Sequence, residues 1–355
     1  EYKGFQPTFE TDISDVTFGA GAKFELLGFK ADLSAMYGSN SVDYMIGNTL
    51  NPSLGAASPT TFNAGGYKFS NIVGNLDMSK TINQISIGFG MEVRQERFEA
   101  IAGESDSYTG GGAQSFPGLQ PSNAVNETRS NVGAYGTMDW DISDNFLIGG
   151  ALRYEKYSDF GSNTSWKINS RYKFNEKTVV RASYSNGFRA PSLHQTYLSN
   201  IQTLVSGGTI SNQGTFNNVS SVIRGLGIPK LFAETSSSLS TGLTLKPSRN
   251  FTMSIDFYNI KVDDRVLFSG EVGFDGDNTT TNAVEQVLID NDVTSIKFFV
   301  NAVNTETNGV DFVANYRNIE AGEGKLGLSF AANFNKTKIV GDIATPSDKL
   351  AGYDI

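Results

Sequence analysis

The chain has 355 residues, a formal net charge of −9, no cysteine and a single histidine. The acidic balance leaves no basic stripe to meet phosphates, which argues against nucleic acid as a partner. The lack of cysteine excludes a disulfide framework and thiolate metal sites. Glycine (38 residues) and aromatics (12%) are plentiful and proline (9) is scarce, a balance that favours strands joined by tight turns.

The opening residues Glu1, Tyr2, Lys3 and Gly4 read as the middle of something, so a removed or omitted N-terminal region is expected before them. No run of about 18 apolar residues follows, so no transmembrane helix is predicted. A barrel strand needs only about 9–11 residues with every second one apolar. Residues 84–94 fit that rule. Ile85, Ile87, Phe89, Met91 and Val93 fall on one face, against Gln84, Ser86, Gly88, Gly90, Glu92 and Arg94 on the other. Further along, Phe251, Met253, Ile255 and Phe257 oppose Thr252, Ser254, Asp256 and Tyr258. Val310, Phe312, Ala314 and Tyr316 then oppose Gly309, Asp311, Asn315 and Arg317. Leu326, Leu328, Phe330, Ala332 and Phe334 oppose Lys325, Gly327, Ser329, Asn333 and Asn335. About twelve such segments of roughly 10–16 residues are predicted, long beside the usual 5–6 or so of globular strands. This length, more than the alternation, points to a membrane barrel rather than a soluble sandwich.

The connections alternate too. Tight turns are predicted at Leu27-Gly28, Thr81-Ile82-Asn83, Ser143-Asp144-Asn145, Asn175-Glu176-Lys177, Pro247-Ser248-Arg249 and 318–323. Between them lie long polar stretches at 46–66, 99–127, 190–232 and 269–296, and one brief link at 158–163. An up-and-down barrel places alternate connections at opposite ends, so one end is trimmed and the other elaborated. The expected fold is therefore all-β, an antiparallel up-and-down transmembrane barrel forming one continuous unit over residues 1–355.

Residues 181–197 (RASYSNGFRAPSLHQTY) resemble a signature of TonB-dependent outer-membrane receptors, in which an up-going strand ends in a Gly-Phe-Arg-Ala-Pro-Ser run. Residues 153–161 (RYEKYSDFG) resemble the strand end one hairpin earlier. Glu92-Val93-Arg94 with Ala102-Gly103-Glu104 resemble an earlier strand and loop. Residues 256–265 (DFYNIKVDDR) and 304–311 (NTETNGVD) resemble the two that follow. All five stand in the family's order. The resemblance implies an active importer of a scarce nutrient (an iron-siderophore, vitamin or glycan) in the outer membrane of a Gram-negative bacterium. It implies a plug domain inside a 22-stranded barrel and a TonB-ExbB-ExbD complex that remodels the plug from below. Measured against that pattern, the sequence is expected to supply about 12 of the 22 strands, with no plug and with bare first and last edges. The other reading is a passive or structural outer-membrane barrel, a porin or an adhesin scaffold.

Arg94, Glu104, Tyr108, Arg189 and His194 are the candidate contacts to ligand or plug. Arg189 shares a face with Arg181, Ser183 and Ser185, so it points into the lumen, toward an anionic ligand, the plug or an ion-pair partner in the wall. His194 could serve as a base or metal ligand, but no acidic or nucleophilic neighbour accompanies it, which favours an ordinary loop residue. Glu104 and Tyr108 lie in the loop 103–120, with Asp106, Phe116 and three consecutive glycines. A mobile loop of this kind suits ligand capture, and a plain surface loop is the other reading. Asp263-Asp264-Arg265 reads as a cation site or a self-neutralised charge cluster. Residues 274–278 (FDGDN) resemble part of a calcium loop without its distal carboxylate. Asn126-Glu127-Thr128 matches a glycosylation acceptor, without weight in a bacterial chain. No nucleophile–base set, phosphate loop or cofactor motif is visible, so neither an enzyme nor a cofactor is expected.

Overall fold

The computed structural model describes residues 6–206, 209–274 and 281–353. In chain order it contains β1 (Thr8–Leu26), β2 (Phe29–Gly47), β3 (Thr61–Ile82), β4 (Ile85–Ile101), α1 (Ser105–Tyr108), β5 (Val125–Ser143), β6 (Phe146–Tyr157), β7 (Gly161–Asn175) and β8 (Thr178–Arg189). Then come α2 (Leu193–Tyr197), β9 (Asn200–Ser206), β10 (Thr209–Thr215), α3 (Ser221–Gly225), β11 (Glu234–Leu245) and β12 (Phe251–Phe268). The chain ends with β13 (Val272–Gly273), α4 (Ala283–Asp290), β14 (Ser295–Lys297), β15 (Phe299–Ala321) and β16 (Gly324–Val340).

Twelve strands form one sheet in the order β1-β2-β3-β4-β5-β6-β7-β8-β11-β12-β15-β16. Every neighbour pairs antiparallel, the topology of an up-and-down barrel wall. These strands run from 12 to 23 residues: β6, β7, β8 and β11 keep to the length the sequence pattern gives and the other eight exceed it. The excess lies at the long-loop end, where polar residues on both faces erase the alternation but the ladder continues.

The tight turns close where turn chemistry places them, with two refinements. Leu27 and Gly28 both have positive φ (54° and 77°), the conformation whose twist matches flanking strands in a two-residue hairpin. The second turn is Asn83-Gln84, so Gln84 belongs to the turn and not to β4. Asn318, read as part of a turn, instead lies at positive φ where the β15–β16 register shifts between Tyr316 and Ile319. This bulge absorbs the turn-like residues, and β15 continues to Ala321 before turning at Gly322-Glu323.

The apolar stripe faces outward. Phe18 is 69% exposed, Leu152 57% and Phe334 72%, and no second sheet covers them. A soluble sandwich would bury these residues, so that reading fails. Trp140, Tyr172 and Tyr316 border the outward band toward the short turns, and Tyr154, Trp166 and Tyr184 border it toward the long loops. Two aromatic girdles around an apolar band are what a membrane-spanning barrel requires. The opposite, concave face is the lumen. Residues near both ends of the strand order, Phe9 and Tyr44 on one side and Phe268 on the other, line one chamber, so the sheet curls around it.

The main buried apolar cluster lies at the long-loop end, where Val300, Ala302 and Val303 of β15 join residues of the connections. A second sheet, ordered β13-β14-β10-β9 with β10 and β14 parallel, is built from the connections after β8 and β12. Ile223, Leu226, Val284, Leu288, Ile296, Phe298 and Leu350 are buried together beside it. Asn218 braces the cap internally by donating to the Pro229 carbonyl (3.0 Å) and ties it to β15 by donating to that of Phe299 (3.3 Å). The long connections are thus not simply polar loops but a folded cap with a water-soluble core.

Candidate functional site

Lumenal side chains of β4, β5 and β6 form a charged ladder. Arg94 meets Glu92 at 2.8 Å and Glu96 at 3.7 Å, and Arg153 meets Glu155 at 2.6 Å and Glu92 at 3.5 Å. Alternating signs on facing rungs let each charge find a partner without leaving the wall. Asn131, between Arg94 and Tyr157 in register, is almost fully buried, and neither polar atom of its amide has a hydrogen-bond partner.

Above the ladder, the buried Arg129 joins three segments. Its Nε and Nη2 reach the Asp159 carboxylate at 2.8 and 2.7 Å, and its Nη1 donates to the Pro191 carbonyl at 2.7 Å. The guanidinium also lies over the rings of Tyr157 (5.9 Å) and Phe160 (5.3 Å). Two sequence motifs meet here, the one containing Asp159 and the one containing Pro191. Ser192 caps α2 immediately afterwards, in a reciprocal pair with Gln195. The backbone is therefore fixed from β8 into α2, which presents His194.

His194 packs edge-on against Phe98 (5.6 Å) and Phe299 (6.1 Å). Burial among these rings holds its imidazole pKa below the ordinary 6.5. It lines a chamber of about 520 Å³ with Phe9, Tyr44, Tyr67, Phe116 and Phe268, whose polar lining includes Gln202, Gln213 and Lys297. Phe9 contacts both Tyr44 (5.2 Å) and Phe116 (5.0 Å), and Lys297 stands 5.9 Å from the Phe268 ring. The chamber opens at the long-loop end, between wall and cap. Its volume suits a small organic molecule, with ring faces for planar groups and amides and an ammonium to orient polar ones.

Residues 2–353 match the family described as TonB dependent receptor-like, beta-barrel. The chain belongs to this family. A vitamin B12 transporter BtuB of Vibrio vulnificus is 28% identical over 108 residues, 30% of this chain and 16% of that protein. One from Vibrio cholerae is 34% identical over 71 residues, 19% of this chain and 11% of that protein. The fold is shared with the siderophore receptor PirA of Pseudomonas aeruginosa, with TM-score 0.56 and 12% identity over 92% of this chain and 57% of PirA. It is shared with the FrpB iron transporter of Neisseria meningitidis, with TM-score 0.59 and 14% identity over 93% of this chain and 45% of FrpB. The RagAB peptide transporter gives TM-score 0.59 and 13% identity over 94% of this chain and 37% of its own. The chain thus spans well under two thirds of the curated relatives and of these solved receptors.

Within this TonB-dependent receptor barrel, the five candidate residues do not converge. His194 lines the chamber. Arg94 is part of the lumenal ladder. Glu104 accepts a hydrogen bond from the Asn63 amide (3.0 Å), and Tyr108 borders a separate recess of about 50 Å³. Arg189 is 3.7 Å from Glu234, its side chain 60% exposed. The loop of Glu104 and Tyr108, read as either a mobile capture loop or a plain surface loop, is bonded to its neighbours: Asn51 donates to the carbonyls of Asp106 (2.8 Å) and Thr109 (2.9 Å), and Leu119 is buried. Asp264 sits at positive φ in a bulge of β12, and Arg265 reaches Thr305 (3.4 Å). No group of three or more potential metal-binding side chains occurs among the described residues. Residues 275–278 of the calcium-like segment lie outside them. The residues missed by sequence reasoning are Arg129, Lys297 and the lumenal aromatics. The aromatics carried a signal: Tyr44, Tyr67 and Phe98 are bulky rings on the polar face of their strands.

Proposed function

We propose that this chain is the barrel portion of an outer-membrane receptor that imports a scarce nutrient by TonB-dependent active transport. The carrying observation is the chamber at the long-loop mouth, walled by five aromatic rings and His194 and furnished with amides and Lys297. Such a site captures a ligand rather than letting solutes diffuse through, and a porin mouth has no use for it. The aromatic lining favours a ligand with flat or ring-bearing faces, an iron-siderophore or vitamin before a glycan, and glycans stay in the test.

The partners in this reading are a plug domain of the same parent chain seated against the lumenal ladder, the TonB-ExbB-ExbD complex acting through that plug, the nutrient itself and outer-membrane lipid. The localisation is the outer membrane of a Gram-negative bacterium, and the work done is transport rather than catalysis. The test is growth of a strain deleted for the full-length parent on a panel of iron sources, vitamins and glycans as limiting nutrients. Wild-type parent should restore growth on one class, and Tyr67→Ala with Phe268→Ala should raise the concentration needed. Uptake that continues without an energised inner membrane would overturn active import in favour of a passive barrel.

A further inference from the structure

On the outer surface of β12, β15 and β16 the apolar band ends at a single rung. Phe257, Val310 and Phe334 are in register across the three strands. The next outward rung is Asn259, Asn308 and Lys336, and the one after it is Lys261, Glu306 and Lys338. Two residues along a strand advance about 6.6 Å, or about 5 Å normal to the membrane once strand tilt is included. The three lysines therefore stand about 5–10 Å beyond the apolar margin, within the layer that headgroups occupy.

The charges there do not cancel. Glu306 is the only acid in the two rungs, and it is occupied: Lys338 Nζ lies 2.9 Å away and Asn259 Nδ2 donates at 2.8 Å. Asn259 also donates to Asn308 Oδ1 at 2.8 Å, which fixes the amide pair between the strands. Lys261 and Lys336 are exposed and have no carboxylate within 4 Å among the described residues, Lys261 facing Glu306 across the strand pair at longer range. The next acid along β12, Asp263, lies a rung farther from the lipid. At similar height on β8 and β11 the facing residues are the uncharged Asn186 and Ser237.

The rungs lie at the long-loop end of the wall, the end that outer-membrane barrels turn outward. We propose that this grid binds the phosphate of an anionic lipid headgroup in the outer leaflet. Lys336 supplies an unpaired charge, Lys261 and Lys338 share the one carboxylate of Glu306 and leave a second in excess, and Glu306 holds Lys338 and Asn259 in place beside them. A phosphate in this layer meets ammonium groups already positioned above an apolar surface that accepts its acyl chains. The inference rests on the membrane-spanning reading of the wall and is independent of the transported ligand.

The test reconstitutes the full-length receptor into phosphatidylcholine vesicles doped with spin-labelled phosphatidic acid, with spin-labelled phosphatidylcholine as reference. Wild type should enrich phosphatidic acid in the protein-immobilised lipid. Enrichment should fall about fivefold for each lysine lost in Lys261→Gln and Lys336→Gln, and should hold or rise in Glu306→Gln. Heat-resistant mobility of each variant in gels verifies that the barrel is intact. Equal enrichment of both lipids by wild type, or no change in the double lysine variant, overturns the proposal. Full displacement by millimolar inorganic phosphate does so too, since it would make the grid a site for free anion.

Discussion

Phe89→Arg tests the assignment of faces at its most sensitive point. The outward residues of β4 run Ile85, Ile87, Phe89, Met91, Val93, so the apolar contour is about 26 Å long and about 20 Å tall when tilted as barrel strands are. Phe89 is the middle residue, about 10 Å from either margin, and its 42% exposure is exposure to lipid. An arginine near the midplane of a barrel's lipid face costs roughly 2–4 kcal/mol. The control is Thr137→Arg. Thr137 lies opposite Gly88 in register, at nearly the same depth but exposed on the lumenal face, where a charge avoids lipid and should cost clearly less than at Phe89. The assay is urea unfolding of the full-length receptor from phosphatidylcholine vesicles, compared at equal slope. Equal losses in the two variants would mean that the apolar stripe does not face lipid, and the membrane reading of the wall would fall with it.

Arg129→Ala leaves the Asp159 carboxylate and the Pro191 carbonyl without their partner and should cost about 3–5 kcal/mol. The readout is faster hydrogen exchange at the Thr196 and Leu198 amides, with Arg129→Lys restoring only part because an ammonium cannot span the same fork. His194 has its pKa lowered by burial, so the unfolded segment binds more protons than the folded one in the window below about 6.5. Protection of α2 should be full above that pH and fall as pH drops through the folded pKa, and His194→Phe should abolish the fall. Phe298→Ala, at a fully buried site, should cost about 3–5 kcal/mol. It should render the cap protease-sensitive in residues 190–233 and 269–298 while the barrel stays heat-resistant.

The wall was legible because its signals are local and periodic. Ile85 to Val93 announce a two-faced strand, and Leu27-Gly28 announces a hairpin whose positive φ values follow from the turn type. The wall order β8-β11 and β12-β15 also follows once the intervening residues are recognised as excursions. The cap was not legible, because its β10–β14 pairing joins residues about 80 apart over three rungs, too short for any periodicity to register. The chamber fell between these cases. Tyr44, Tyr67 and Phe98 could be placed on the lumenal face by parity, but their meeting with His194 and Lys297 depends on how the sheet curls and where the cap sits. Arg129 stood beside a strand end like any other arginine, and only the distance of 62 residues to Pro191 shows that it clamps two motifs together.

The chain joins two structures stabilised against different solvents. The wall has its backbone groups satisfied by neighbouring strands and presents apolar side chains to lipid, so it needs little interior core. The cap turns apolar residues inward, as a protein in water must. The chamber is bordered by both: Phe9, Tyr44 and Tyr67 come from the wall, and Gln202, Gln213 and Lys297 from the cap. The cap also shares its buried cluster with Val300, Ala302 and Val303 of β15, so chamber, cap and wall are packed as one. Polar contacts join the cap to the same strand: Asn218 donates to the Phe299 carbonyl, and Phe232 and Asn301 bond in both directions. The two solvents therefore meet at β15, whose long-loop end is buried in the cap's cluster while its outward residues such as Val310 and Tyr316 face the membrane.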